Sequence, residues 1–205
     1  MKNVAIVDYG MGNLDSVVRA VEECGGSPRV VSQPGDLENA TSIVLPGVGA
    51  FDNAIRKIRE RRLDTALGEQ VIDHGIPFLG ICLGMQLLAT AGYEGKETPG
   101  LGWIEGEVRR LEPDTQTERL PHVGWNEVVF VGSPPLFEGI PSGRDFYFVH
   151  SYHFVCRNKQ HIVANTPYCG GFVSALARDN IFGVQFHPEK SQRLGFRVIK
   201  NFLAF

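Results

Sequence analysis

The sequence contains no run of about 18 apolar residues, so no transmembrane helix is expected. It also lacks an excess of positive charge. Its 20 Lys and Arg stand against 23 Asp and Glu, a formal net charge of −3. That argues against non-specific binding to nucleic acid or to anionic membranes. There is no signal-peptide pattern: Met1-Lys2-Asn3-Val4 runs straight into a strand pattern, and a cytoplasmic location is expected. Cysteine is scarce, with only Cys24, Cys82, Cys156 and Cys169, and none of these forms a C-x-x-C pair. A zinc site is therefore not expected, and free thiols are expected over two disulfides. Cys24, Cys156 and Cys169 read as small buried or half-buried side chains. No repeat, low-complexity segment or long linker divides the 205 residues, so one domain spanning 1–205 is expected.

What the chain does contain is an alternation of strand and helix patterns. Val4 to Asp8 is a short apolar run that reads as a buried parallel strand. Asn13 offers a helix cap. Leu14, Val17, Val18 and Val21 then mark one helical face, ended by Gly25-Gly26. Pro28 to Val31, Ser42 to Leu45 and Pro77 to Cys82 read as further strands. Helices are expected over Phe51 to Arg59, onward to Ile72, and over Met85 to Ala91. This order implies an α/β three-layer sandwich with a mostly parallel central sheet. From Gly100 to Gln185 the pattern turns β-rich: Ile104–Leu111, Glu127–Val131, Phe146–Val149, Ile162–Ala164, Phe172–Ala177 and Ile181–Gln185. A small antiparallel extension is expected there. A last helix turns Leu194, Val198, Ile199 and Phe202 inward.

Gly80-Ile81-Cys82-Leu83-Gly84 joins a strand to a helix and has the pattern of a nucleophile elbow with cysteine in place of serine. A sharp strand-to-helix turn lifts the side chain out of the sheet, and flanking glycines let the chain double back. A helix N-terminus favours the thiolate that attacks. The N–H of Leu83 then points to where an oxyanion forms. A core cysteine in a glycine-flanked turn satisfies the pentapeptide equally well. The second signal decides between them: Gln185-Phe186-His187-Pro188-Glu189 is a strand running into His-Pro-Glu. A cysteine nucleophile needs a base, and the base needs an orienting acceptor. His187 supplies the first and Glu189 the second.

Gly80–Gly84 with Gln86, and Gly183–Ser191, resemble the two signatures of class I (triad) glutamine amidotransferases, whose sheet is flavodoxin-like. The resemblance implies a catalytic triad of Cys82, His187 and Glu189 that hydrolyses L-glutamine through a γ-glutamyl thioester, with no metal or organic cofactor. Further segments are similar to the glutaminase subunits of imidazole glycerol phosphate synthases. They are Asp8–Leu14, Pro46–Phe51, Pro121–Asn126 and Tyr147–Tyr152, and the likeness covers the whole chain. It implies that Val48 and Leu83 serve the oxyanion and that Gly47, Gln86, Ser151 and Tyr152 bind substrate. It implies too that Asn13, His122, Trp125, Tyr147 and Lys190, with His150, face a (β/α)8-barrel cyclase partner in a heterodimer. Ammonia would pass to that partner for histidine biosynthesis.

The chain departs from this pattern at Val123, where the family has methionine, and at His153, where it often has an aromatic residue. These departures leave open a glutaminase serving another synthase, such as one that aminates a nucleotide-linked sugar. A stand-alone cysteine hydrolase is a second reading, and a non-catalytic regulatory paralogue is disfavoured by the intact triad. By chemistry alone, Pro46-Gly47-Val48-Gly49 is also an ordinary tight turn, Gln86 a solvated helix residue and Lys190 a solvated lysine. A phosphate loop is disfavoured by the absent Walker lysine.

Overall fold

Apolar runs too short for helices become the strands of a buried sheet, and alternate residues of each run serve opposite faces. In the computed structural model, which describes residues 2–114 and 118–205, the strands in chain order are β1 (Asn3–Val7), β2 (Ser27–Val31), β3 (Ser42–Gly47), β4 (Phe78–Cys82), β5 (Ala91–Gly92), β6 (Thr98–Pro99), β7 (Gly106–Arg110), β8 (His122–Val128), β9 (Arg144–His150), β10 (Tyr152–Cys156), β11 (Ile162–Thr166), β12 (Phe172–Arg178) and β13 (Ile181–Val184). The helices are α1 (Leu14–Glu23), α2 (Phe51–Glu60), α3 (Leu63–Gly68), α4 (Leu83–Gln86) and α5 (Gln192–Phe202). Met1, the first residue of the segment that leads into the opening strand, lies outside the described residues.

The central sheet has the order β11-β12-β13-β4-β3-β1-β2. The five strands from β13 to β2 are mutually parallel, while β11 and β12 close one edge antiparallel. Ala5, Val7, Ile43 and Leu45 face one apolar layer with α2 and α3. Val4, Ile6 and Val44 face the other with α1 and α5. This is the expected three-layer α/β architecture. β10, β7, β5 and β6 make a second sheet, and β8 and β9 pair as a separate antiparallel hairpin. Among the described residues no helix is long and apolar enough to cross a membrane.

The further helical stretch expected toward Ile72 is present, as α3 followed by wider helical turns over Glu69–Asp73. Three local expectations need correction. Asn13 makes no side-chain cap hydrogen bond among the described residues. The elbow helix stops at Gln86 instead of running to Ala91. The reason is competition for its carbonyls, since Leu87, Leu88 and Ala89 accept from the N–H groups of Leu101, Ile104 and Gly102. Lastly, β8 begins at His122, five residues before the strand expected from Glu127, and β10 was not anticipated. Each is a tertiary pairing that local patterning does not encode.

Candidate active site

The elbow forms where β4 meets α4. Cys82 has φ 54° and ψ −108°, a backbone region that L-residues enter only under constraint. The constraint is close packing behind it. A Cβ on Gly84 would collide with the carbonyl of Leu45, and one on Gly80 would lie 2.6 Å from the Gly84 oxygen. Only glycine lets the turn sit this close to β3. The Cys82 side chain is 5% exposed and lies under the carbonyl of Val149, at 3.9 Å. Leu83 opens α4, so its N–H is one of the helix's unpaired N-terminal donors.

The chain leaves β13 through Gln185 and delivers His187 beside this thiol. His187 Nδ1 is 2.8 Å from Glu189 Oε1, and both side chains are almost wholly buried. A carboxylate at Nδ1 fixes the tautomer and leaves Nε2 for the nucleophile. Nε2 is buried and makes no hydrogen bond among the described residues. Burial opposes a charge on this imidazole. The Cys82 sulfur, and after it Glu189, outweigh that and push its pKa up to about 10. Backbone contacts anchor the pair: His187 N–H donates to Tyr147 O at 2.9 Å, and Ser191 Oγ donates to His187 O at 2.7 Å.

The other expected residues fall into three groups. Gly47 ends β3 directly opposite Cys82, and a side chain there would strike the Tyr9 hydroxyl. The ladder stops at Gly47, leaving Val48 42% exposed at the sheet's carboxyl edge. Ligands bind at such edges in open α/β sheets. A concave pocket lined by Asn3, Ser27, Arg29 and Glu38 lies at the opposite ends of β1 and β2 and holds none of this chemistry. Gln86 is buried, not solvated. Its Nε2 donates to Tyr152 O at 2.8 Å and to Gln185 Oε1 at 3.0 Å. Ser151 and Tyr152 are half-buried at the turn from β9 to β10.

Of the expected docking residues, Trp125 is 48% exposed, with Tyr147 edge-on to it at 6.0 Å and Lys190 Nζ 5.8 Å from the Tyr147 ring. Asn13 is also exposed, and so is Val123, at 56%. His122 is not part of this surface. It is 4% exposed, because β8 turns alternate side chains inward and His122 stacks on Tyr168 at 4.1 Å. His150 is likewise buried.

Three residues went unmarked in the sequence. Gln185 Nε2 lies 3.6 Å from Cys82 Sγ. Its only signal was a polar residue ending an otherwise apolar strand. Glu94 Oε2 accepts from Phe51 N–H at 2.8 Å and so holds the start of α2, just after Val48-Gly49. Tyr9 carries a buried hydroxyl without a hydrogen-bond partner among the described residues, beside Gly47. Glu94 gives no local signal, and Tyr9 none beyond its place in the Asp8–Leu14 segment.

The chain is similar to known proteins over nearly its whole length. Residues 5–204 match the family model "Glutamine amidotransferase class-I". Imidazole glycerol phosphate synthase subunit HisH of Moorella thermoacetica is 46% identical over 202 residues, spanning 98% of this chain and 94% of that protein. The subunit of the same name from Ruegeria pomeroyi is 45% identical, spanning 98% of each chain. Among solved structures, one described as a glutamine amidotransferase aligns with TM-score 0.77 at 18% identity, covering 98% of this chain and 99% of that one. PurLQS from Thermotoga maritima aligns with TM-score 0.75 at 19% identity, covering 100% and 99%. These two likenesses concern the fold.

Proposed function

We infer that this chain, which belongs to the class I glutamine amidotransferase family, is the glutaminase subunit of an imidazole glycerol phosphate synthase, hydrolysing L-glutamine to glutamate and ammonia for histidine biosynthesis. The observation that carries the chemistry is the strained Cys82 beside His187, whose Nε2 has no hydrogen-bond partner among the described residues and whose Nδ1 is held by Glu189 at 2.8 Å. The relatives that match nearly end to end carry the pathway.

The reaction follows from these positions. His187 Nε2 takes the Cys82 proton, and the sulfur adds to the γ-carboxamide carbon. The carbonyl oxygen becomes an oxyanion facing the N–H groups of Leu83 and Val48. His187 then protonates the departing nitrogen. The C–N bond breaks, ammonia leaves and a γ-glutamyl thioester remains. Water gives a proton to His187 and adds to the thioester, the C–S bond breaks, and glutamate and the thiol are released. Glu189 stabilises the imidazolium in both halves and keeps its own charge. Gly47, Gln86, Ser151 and Tyr152 surround the place where glutamine must lie. Trp125, Tyr147, Lys190, Asn13 and Val123 form the face onto which a (β/α)8-barrel cyclase subunit docks, giving a heterodimer.

A free glutaminase would waste glutamine, so docking must complete the site. Val48-Gly49 is the suited element, being exposed at the sheet's carboxyl edge. The test is steady-state glutamate release by the purified chain, alone and with the barrel subunit and its nucleotide substrate. The expected acceleration is at least about a hundredfold, the contribution of one oxyanion donor. An electrophilic glutamine analogue should label Cys82 alone. Full turnover without the barrel would favour a stand-alone hydrolase, and labelling mainly at Cys24, Cys156 or Cys169 would reject the nucleophile.

A further inference from the structure

The inner face of the docking hairpin holds two buried histidines that the triad does not use. His122 on β8 and His150 on β9 are cross-strand partners, and His122 Nδ1 lies 3.1 Å from His150 Nε2. Their protonation states can be derived from the groups at either end. His150 Nδ1 is 2.9 Å from the carbonyl of Tyr152, which can only accept, so Nδ1 carries the hydrogen. In a neutral ring His150 Nε2 then accepts, and His122 Nδ1 must donate to it. That leaves His122 Nε2 as an acceptor, and Asn126 Nδ2 stands 3.3 Å away. The Asn126 amide is itself oriented, because its Oδ1 takes the Glu127 N–H at 2.9 Å. Burial keeps both rings uncharged, lowering His122 to about 4 and His150 to about 3. Every donor therefore points the same way, from the hairpin toward Tyr152.

The chain of contacts continues to the nucleophile. Tyr152 O receives a second hydrogen bond from Gln86 Nε2, Gln86 also donates to Gln185, and Gln185 Nε2 reaches the Cys82 sulfur. Asn126 follows Trp125 on the same strand, so a movement of the exposed strand face is felt at the first donor of this chain. On the reading that the chain is a partner-activated glutaminase, we propose that His122 and His150 are positioning residues: they form a one-way hydrogen-bond relay from Asn126 on the docking hairpin to the Tyr152 carbonyl. Through Gln86 and Gln185 the relay holds the substrate side of the Cys82 site in register with the docked partner.

A packing role alone would use the same rings differently. His150 meets Phe172 at 4.8 Å between ring centres, and His122 meets Phe148 at 5.0 Å. Phenylalanine would preserve such packing. Asparagine would not, but it places an amide nitrogen where histidine has Nδ1. The experiment is steady-state glutaminase kinetics of the assembled complex, with the barrel subunit and its nucleotide substrate saturating. His150→Phe should lower kcat by about tenfold or more, the size of one lost hydrogen bond. His150→Asn, which restores the donor to Tyr152 O but not the acceptor for His122, should recover part of that loss, and KM for glutamine should move little in either.

Asn126 is half-buried, so Asn126→Ala tests the far end of the relay without opening the core. It should also lower kcat by about tenfold, and adding it to His150→Phe should cost little more. Equal or higher activity in His150→Phe than in His150→Asn would overturn the relay, as would additive losses. A wild-type complex that released no glutamate would instead refute the function on which the relay rests. Synthesis from free ammonium salts by the same complexes, which bypasses Cys82, should be unchanged throughout.

Discussion

The two donors proposed for the oxyanion sit in contrasting surroundings. On the Leu83 side every residue from Phe78 to Ala89 is buried. The turn is held from behind by backbone that only glycine can approach, at Gly80 and Gly84. On the Val48 side the strand ladder has ended and both Val48 and Gly49 are exposed. A side chain on Gly49 would meet only the far end of Met11, at 2.8 Å from its terminal carbon. The nucleophile and one donor are therefore built by the core, while the second donor stands where a partner can influence it. Such a division allows the elbow to be strained permanently, since the core over-determines it. It also allows activity to depend on docking without disturbing the fold.

The largest effect should come from releasing the rigid side. Cys82→Gly removes the thiol, so glutaminase activity should fall by at least about 10⁴. Glycine also tolerates φ 54°, where cysteine is strained by about 1–3 kcal/mol. Its own entropy penalty in the unfolded chain is about 0.5–1 kcal/mol. Thermal melting should therefore show a Tm equal to or a few degrees above wild type. A clear fall in Tm would mean that Cys82 stabilises the elbow it occupies, and the contrast between the two sides would weaken.

A smaller loss is expected from stiffening the exposed side. Gly49 has φ +97°, which alanine resists. Gly49→Ala should cut the partner-stimulated rate by about a hundredfold, as loss of one oxyanion donor does. The ammonium-dependent reaction of the complex should be untouched. If stimulation persists at the wild-type level, Val48 is not the element that docking adjusts.

How much of this was legible in the sequence depends on how far apart the interacting residues lie. Cys82 with its glycines, and His187 with Glu189, are local patterns, and the structure brings the expected groups together. The parallel core was legible too, because Val4–Val7, Ser42–Leu45 and Phe78–Cys82 are continuous buried runs. The start of β8 was not. His122 to Asn126 alternates inward and outward residues, yet by resemblance the segment reads as one that faces the partner, His122 included. Its inward orientation is set by pairing with β9, a partner more than twenty residues away. Gln86 was expected at the substrate, but its contacts with Tyr152 and Gln185 are entirely non-local. Tyr9 is the extreme case, since only the approach of β3 and β4 gives its hydroxyl a meaning.

The last prediction separates the two histidine environments by pH. His187 is raised from 6.5 to about 10: burial resists its charge, but Cys82 and then Glu189 outweigh that. Its contribution to stability is thus complete below 6.5 and is lost as pH rises through 10. His122 and His150 are shifted the opposite way, chiefly by burial, to about 4 and about 3. Glu118 pulls His122 partly back, while His122, His153 and His187 push His150 further down. Unfolding lets both rings take a proton at ordinary pH values, so the unfolded chain binds more protons than the fold below 6.5. Stability conferred by the relay is therefore complete above 6.5 and falls as pH drops toward 4 and then 3. Asparagine at position 150 does not titrate. Thermal melting of His150→Asn should show a shallower decline between pH 6.5 and 4 than wild type, while the decline on the alkaline side stays the same. Parallel curves on the acid side would mean that His150 is not buried neutral, and the one-way order of donors would fail with it.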